Sequence, residues 1–219
     1  MIRFSYKRTQ SAWTEPNFLR LLEIMETYRF PKPSLASKMH KNTWKDFPIT
    51  HFKDKNLLKA LVPVRKRSSD YIVMIDNASE EHVHFAFTQG LDNILVLNRL
   101  KSFLTNPEIK SLFYDLSQLE GCDYGWCSIF EDKLYTKNFT SLDFSNKMML
   151  NWLQFYKKDH LEKIGGFVVF ESNPYVQTQR IHDGLFIQVG EDPAIFDTPA
   201  GEALLINAIN ALPLIKQGF

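Results

Sequence analysis

The sequence predicts an α+β fold, a largely antiparallel sheet with helices packed on it. Three observations carry that expectation. Segments of strand character outnumber those of helical period. Many neighbouring strand segments are spaced to connect as hairpins, which makes the pairing antiparallel. And residues 165–212 combine two short apolar runs, Phe167-Val168-Val169-Phe170 and Leu185-Phe186-Ile187, with a well-marked helix, a folding unit that contains no catalytic motif.

Taken in order, Ile2, Phe4 and Tyr6 alternate with Arg3 and Ser5, a half-buried strand. Thr14-Glu15-Pro16 starts a helix, with Thr14 as cap and proline in the first turn; Phe18, Leu21, Leu22, Met25 and Tyr28 form its apolar face. Residues 31–55 read as a long irregular loop laid over the core by Trp44, Phe47 and Phe52, or alternatively as a recognition loop. Residues 53–67 read as a short amphipathic helix whose basic face carries Lys53, Lys55, Lys59, Arg65, Lys66 and Arg67.

A three-stranded meander is expected next, through Tyr71, Val73 and Ile75, then Val83, Phe85 and Phe87, then residues 94–97; a helix over 94–104 is the alternative, because Leu97, Leu100 and Leu104 also fit that period. Asn106-Pro107-Glu108 opens a helix buried through Ile109, Leu112, Phe113, Leu116 and Leu119 and stopped by Gly121. Residues 122–130 form a strand, and residues 145–158 a further helix with Met148, Leu150, Trp152, Leu153 and Tyr156 as its apolar material. Phe167 to Phe170, apolar on both faces, is expected to be a central strand. Residues 175–181 and 184–189 pair as a hairpin through His182-Asp183-Gly184. The last helix starts near Thr198, ends at Pro213, and shares Leu205, Ala208, Ile209 and Leu212 on one face. The whole chain, 1–219, is expected to form a single α+β domain, with 1–68 as a peripheral subregion.

Composition bounds what such a domain does. The chain has 219 residues, 44% hydrophobic, enough to bury a core without disulfides or metals. Twenty-six basic against 25 acidic side chains leave a net charge of +1, so no strong non-specific pull on DNA or acidic membranes is expected. Cys122 and Cys127 lack the second Cys/His pair of a zinc site and read as reduced thiols. The N-terminus has no secretory pattern and no apolar run approaches a membrane span, so the expected location is the cytoplasm.

Few residues carry chemistry. His82 and His84 would point to one face of a strand, near Asp70, Asp76, Glu80 and Glu81, and this is the alternative reading: a metal-dependent hydrolase. Glu191-Asp192 is another acidic pair. A third reading uses the basic segment 53–67 with Trp44 for nucleic acid. No Gly-x-Ser-x-Gly elbow, phosphate loop, dinucleotide fingerprint or His-Glu-x-x-His motif is present. The more suggestive stretch is Asp123-Tyr124-Gly125-Trp126 running to Glu131-Asp132, aromatic residues beside acids as protein interfaces favour.

The order of segments resembles the bacterial immunity proteins of polymorphic-toxin systems, most nearly the immunity protein 52 family. The resemblance lies in Asn93-Ile94-Leu95-Val96-Leu97 ahead of a helix, Cys122-Asp123-Tyr124-Gly125-Trp126 after it, Gly165-Gly166-Phe167, and Gly184-Leu185-Phe186-Ile187 followed by Asp192-Pro193 and the closing helix. It implies a cytoplasmic, non-catalytic protein without cofactor or metal, which neutralises a cognate toxin domain, a nuclease being one such class, by surface complementarity. Neither membrane nor direct nucleic-acid binding is expected. The residues expected to touch the toxin are Trp44, Asp123, Tyr124, Trp126, Glu131 and Asp132.

Overall fold

The structure is a computed structural model that describes residues 2–8, 15–30, 35–40, 43–48, 71–76, 85–89, 93–99, 104–119, 122–129 and 150–213. The chain gathers into two compact units, Ile2–Cys122 and Asp123–Phe219.

Among the described residues the first unit carries six antiparallel strands in the order β3-β2-β4-β5-β6-β1. They are β1 (Ile2–Arg8), β2 (Leu35–His40), β3 (Thr43–Pro48), β4 (Tyr71–Asp76), β5 (Phe85–Gln89) and β6 (Asn93–Arg99). The expected meander is β4-β5-β6, and residues 93–99 are strand rather than helix. The expected loop over 31–55 is corrected. It contains the β2-β3 hairpin, with Met39 opposite Trp44 and Ala36 opposite Phe47, and β2 gains its second partner in β4. β2 is held between its hairpin neighbour β3 and the distant strand β4, and that pairing overrides weak local patterning.

Two helices, α1 (Glu15–Thr27) and α2 (Asn106–Ser117), pack together. Leu21, Leu22, Ile24 and Met25 of α1 are buried, as are Ile109, Leu112, Phe113 and Leu116 of α2. α1 ends in a Schellman motif: Phe30 N–H donates to Met25 O at 2.9 Å and Arg29 N–H to Glu26 O at 3.0 Å, with Arg29 left-handed at φ 54°. The apolar contact that usually accompanies the motif has its two residues in place, since Met25 and Phe30 are both buried. α2 starts one residue earlier than its Asn-Pro-Glu signal implied. Thr105 is the cap and forms a capping box with Glu108. That network, first through the Thr105 backbone and hydroxyl and then through Arg29, holds the Glu108 carboxyl below its usual range.

The second unit is a four-stranded antiparallel sheet, β7-β8-β10-β9, with helices packed against it. Its strands are β7 (Cys122–Ile129), β8 (Leu153–Lys157), β9 (Gln177–Ile181) and β10 (Gly184–Gln188). The helices are α3 (Lys158–Lys163), α4 (Val168–Glu171), a 3₁₀ turn (Pro193–Asp197) and α5 (Pro199–Asn210). Thr198 caps α5 as expected, its hydroxyl accepting from Gly201 N–H.

Two expectations fail here. The helix predicted over 145–158 is β8 at its C-terminal end, paired with both β7 and β10. Leu153, Gln154, Phe155 and Tyr156 are all buried, so both faces are covered and no period-2 signal shows. The central strand predicted at Phe167 to Phe170 is instead a turn entering the short helix α4. Gly165 and Gly166 adopt φ of 108° and 80°, which redirects the chain, and of this run only Phe170 is fully buried while Val168 is 66% exposed. The β9-β10 hairpin is as expected, but its two loop residues are His182 and Asp183. His182 takes the left-handed conformation, at φ 43°, and Gly184 lies inside β10 opposite Ile181.

Candidate functional site

β7 and β8 bring the aromatic candidates together. Tyr124 stands opposite Tyr156, and Trp126 opposite Gln154. Side chains two apart share a face, so Tyr124 and Trp126 both face the side that α4 and α5 cover, while Asp123 faces the other. Tyr124 is half-buried at the centre of a stack: its ring lies 5.9 Å from Trp126, 6.1 Å from Tyr156 and 4.7 Å from His160 of α3. Tyr156 continues the stack to His160 at 5.5 Å and to Phe170 at 5.6 Å. The predicted anchors Tyr124 and Trp126 are thus partly committed to the unit's own packing and partly exposed.

Tyr156 is the buried end of this stack. Its hydroxyl accepts from Gln154 Nε2 at 2.9 Å, and Gln154 Oε1 accepts from Asn151 N–H at 3.3 Å. Burial, reinforced by neighbouring Tyr124, pushes the Tyr156 phenol well above the ordinary tyrosine range. It is held as a neutral packing group.

The other predicted residues do not join them. Trp44 lies in β3 of the first unit. Glu131 and Asp132 lie outside the described residues, as do His82, His84, Asp70, Glu80, Glu81 and the basic segment 53–67. Asp76 ends β4. Asp192 caps the 3₁₀ turn by accepting from Ala194 N–H at 2.8 Å. Cys122 and Cys127 are buried thiols outside any disulfide. Among the described residues no three His, Cys, Asp or Glu side chains are grouped to hold a metal ion.

A second feature went unread in the sequence. Val168, at 66%, and Tyr175, at 40%, are exposed large hydrophobic side chains. Both lie in the segment that leads into β9. Beside them Arg180 reaches back from β9 to Glu171 of α4, with Nε and Nη2 donating to the two carboxylate oxygens at 2.6 and 2.8 Å. The guanidinium lies 4.7 Å from the Phe167 ring centroid. The fork keeps the Glu171 carboxyl below its usual range. Asn173 fixes the segment from inside: Nδ2 donates to Ala208 O of α5 at 2.8 Å, and Oδ1 accepts from Tyr175 N–H at 3.0 Å. The legible signal was the Gly165-Gly166 pair, which marks a redirected chain better than the start of a strand.

No family model matches the sequence, and no curated protein matches it. Among solved structures the fold is similar to that of the Pseudomonas aeruginosa T6SS protein PA0821, with a TM-score of 0.62 at 13% sequence identity, over 97% of this chain and 76% of that one. At that identity the likeness is one of fold. Among the described residues no helix is long and apolar enough to cross a membrane.

Proposed function

We propose that this chain is a non-catalytic immunity protein, acting in the cytoplasm in interbacterial competition by binding and neutralising a cognate toxin domain. The observation that carries the reading is the fold likeness to a T6SS protein across 97% of the chain. The segment resemblance to toxin-immunity proteins points the same way, on separate grounds. Binding of this kind needs a shaped surface with aromatic or arginine anchors rather than a reaction centre. The part-buried Tyr124 and Trp126 are such anchors, and Arg180, already fixed in its fork, is another of low entropic cost. A nuclease is one toxin class the resemblance allows.

The test has two steps. Tagged chain is recovered from its native cells at moderate salt and its stoichiometric partner identified. The partner's C-terminal domain is then expressed alone and together with this chain. Growth arrest by the domain, relieved by co-expression, is the expected result. Arrest that co-expression leaves unchanged overturns the reading.

A further inference from the structure

The outermost strand of the second unit's sheet is β9, paired on one side with β10. A two-residue loop makes the residues flanking it, Ile181 and Gly184, a hydrogen-bonded pair, and such pairs alternate along an antiparallel ladder. Gln177, Gln179 and Ile181 therefore turn their main-chain groups toward β10. Thr178 and Arg180 turn theirs away. Among the described residues neither makes a main-chain hydrogen bond on that outer side. An open edge of this kind is normally guarded by charge. The charged residue of β9 is Arg180, and its guanidinium is folded back onto Glu171 and the Phe167 ring. The guard is held in an ion pair, and among the described residues the outward N–H and C=O groups of Thr178 and Arg180 have no main-chain partner.

We propose that this edge is where the toxin docks, contributing an extended segment of its polypeptide as a strand added to β9. The proposal rests on the immunity reading above. Main-chain pairing would supply affinity, and side chains at alternate positions specificity. Thr178 and Arg180 share the face of Ile187 and Leu185, which is the face that α4 covers. A strand laid outside them presents every second side chain to that face. There α4 offers exposed Val168, and Tyr175 stands at the entrance to β9. The segment received is accordingly extended and apolar at alternate positions.

The experiment uses the full chain and the purified toxin domain recovered with it. Amide exchange followed by NMR should show the Thr178 and Arg180 amides slowed about tenfold or more in the complex. Thr178→Pro removes an outward N–H without breaking the β10 ladder. Val168→Asp places charge on the apolar patch. Each is expected to weaken binding about tenfold or more, with circular dichroism and melting unchanged. Should Thr178→Pro fail to fold, Val168→Asp and the exchange data decide alone. A complex that leaves both amides unprotected, or binds Val168→Asp as tightly as wild type, overturns the docking site and leaves the immunity reading intact. A wild-type chain that binds no toxin removes both. Protection of the same amides in the free chain at high concentration assigns the edge to a second copy and also overturns the proposal.

Discussion

The Tyr28 hydroxyl donates a 2.7 Å hydrogen bond to Asp115 Oδ2, joining the residue just past α1 to the last turn of α2 across 87 positions of sequence. The bond lies beside the Schellman motif that ends α1, and Arg29 in that motif binds Glu108 at the other end of α2. Tyr28→Phe keeps the ring and deletes the donor, leaving a part-buried carboxylate without it. The expected loss is about 1–2 kcal/mol, since the acceptor is charged, and urea denaturation of the two proteins measures it.

Alkaline pH should destabilise the protein. Burial first, then Asp115, raises the Tyr28 phenol, and burial with Tyr124 raises Tyr156. In the unfolded chain both ionise near the ordinary value of about 10. Above that pH the native state holds more protons than the unfolded one, so stability falls as pH rises; below it the contribution is fully present. The urea midpoint should drop beyond about pH 10, and the drop should be shallower in Tyr156→Phe. Equal slopes in the two proteins would contradict the assignment.

Gly184 has no room for a side chain. A Cβ there would lie 2.4 Å from Phe155 Cε2 and 2.8 Å from Tyr156 O. The second contact is with backbone and cannot move aside without disturbing β8. Gly184→Ala is expected to cost about 2–3 kcal/mol by overpacking, seen as a lower melting temperature.

Asn173→Ala removes both bonds that hold the Tyr175 segment to α5, and leaves the Ala208 carbonyl without its donor. A loss of about 2 kcal/mol is expected. On the proposed immunity function, partner binding should weaken with it, because Tyr175 is no longer held in place; titration calorimetry against the toxin domain that proposal calls for reads this second effect.

What was legible in the sequence follows from where each element is buried. β1, β4 and β6 sit where alternation or an apolar run marks them, and α1, α2 and α5 carry cap and proline signals. β8 was misread because Leu153, Gln154, Phe155 and Tyr156 are covered on both faces, and apolar residues without alternation also fit a helix. That error hid the stack, since placing Tyr156 on a helix separates it from Tyr124, its cross-strand partner. Val168-Val169 favours a strand by β-branching, but two left-handed glycines ahead of it turn the chain. Residue type alone marks Tyr124 and Trp126. The β9 edge carries no such mark, because its distinguishing groups are peptide N–H and C=O, which every residue but proline has.

That last property affects how the surface would be mapped and how it can evolve. Replacing Gln177, Thr178 or Gln179 by alanine leaves all three peptide groups in place, so alanine at these positions is largely blind to what the rim of β9 can do. Those three side chains could be exchanged while the rim persists, and comparison of side chains alone would pass over it.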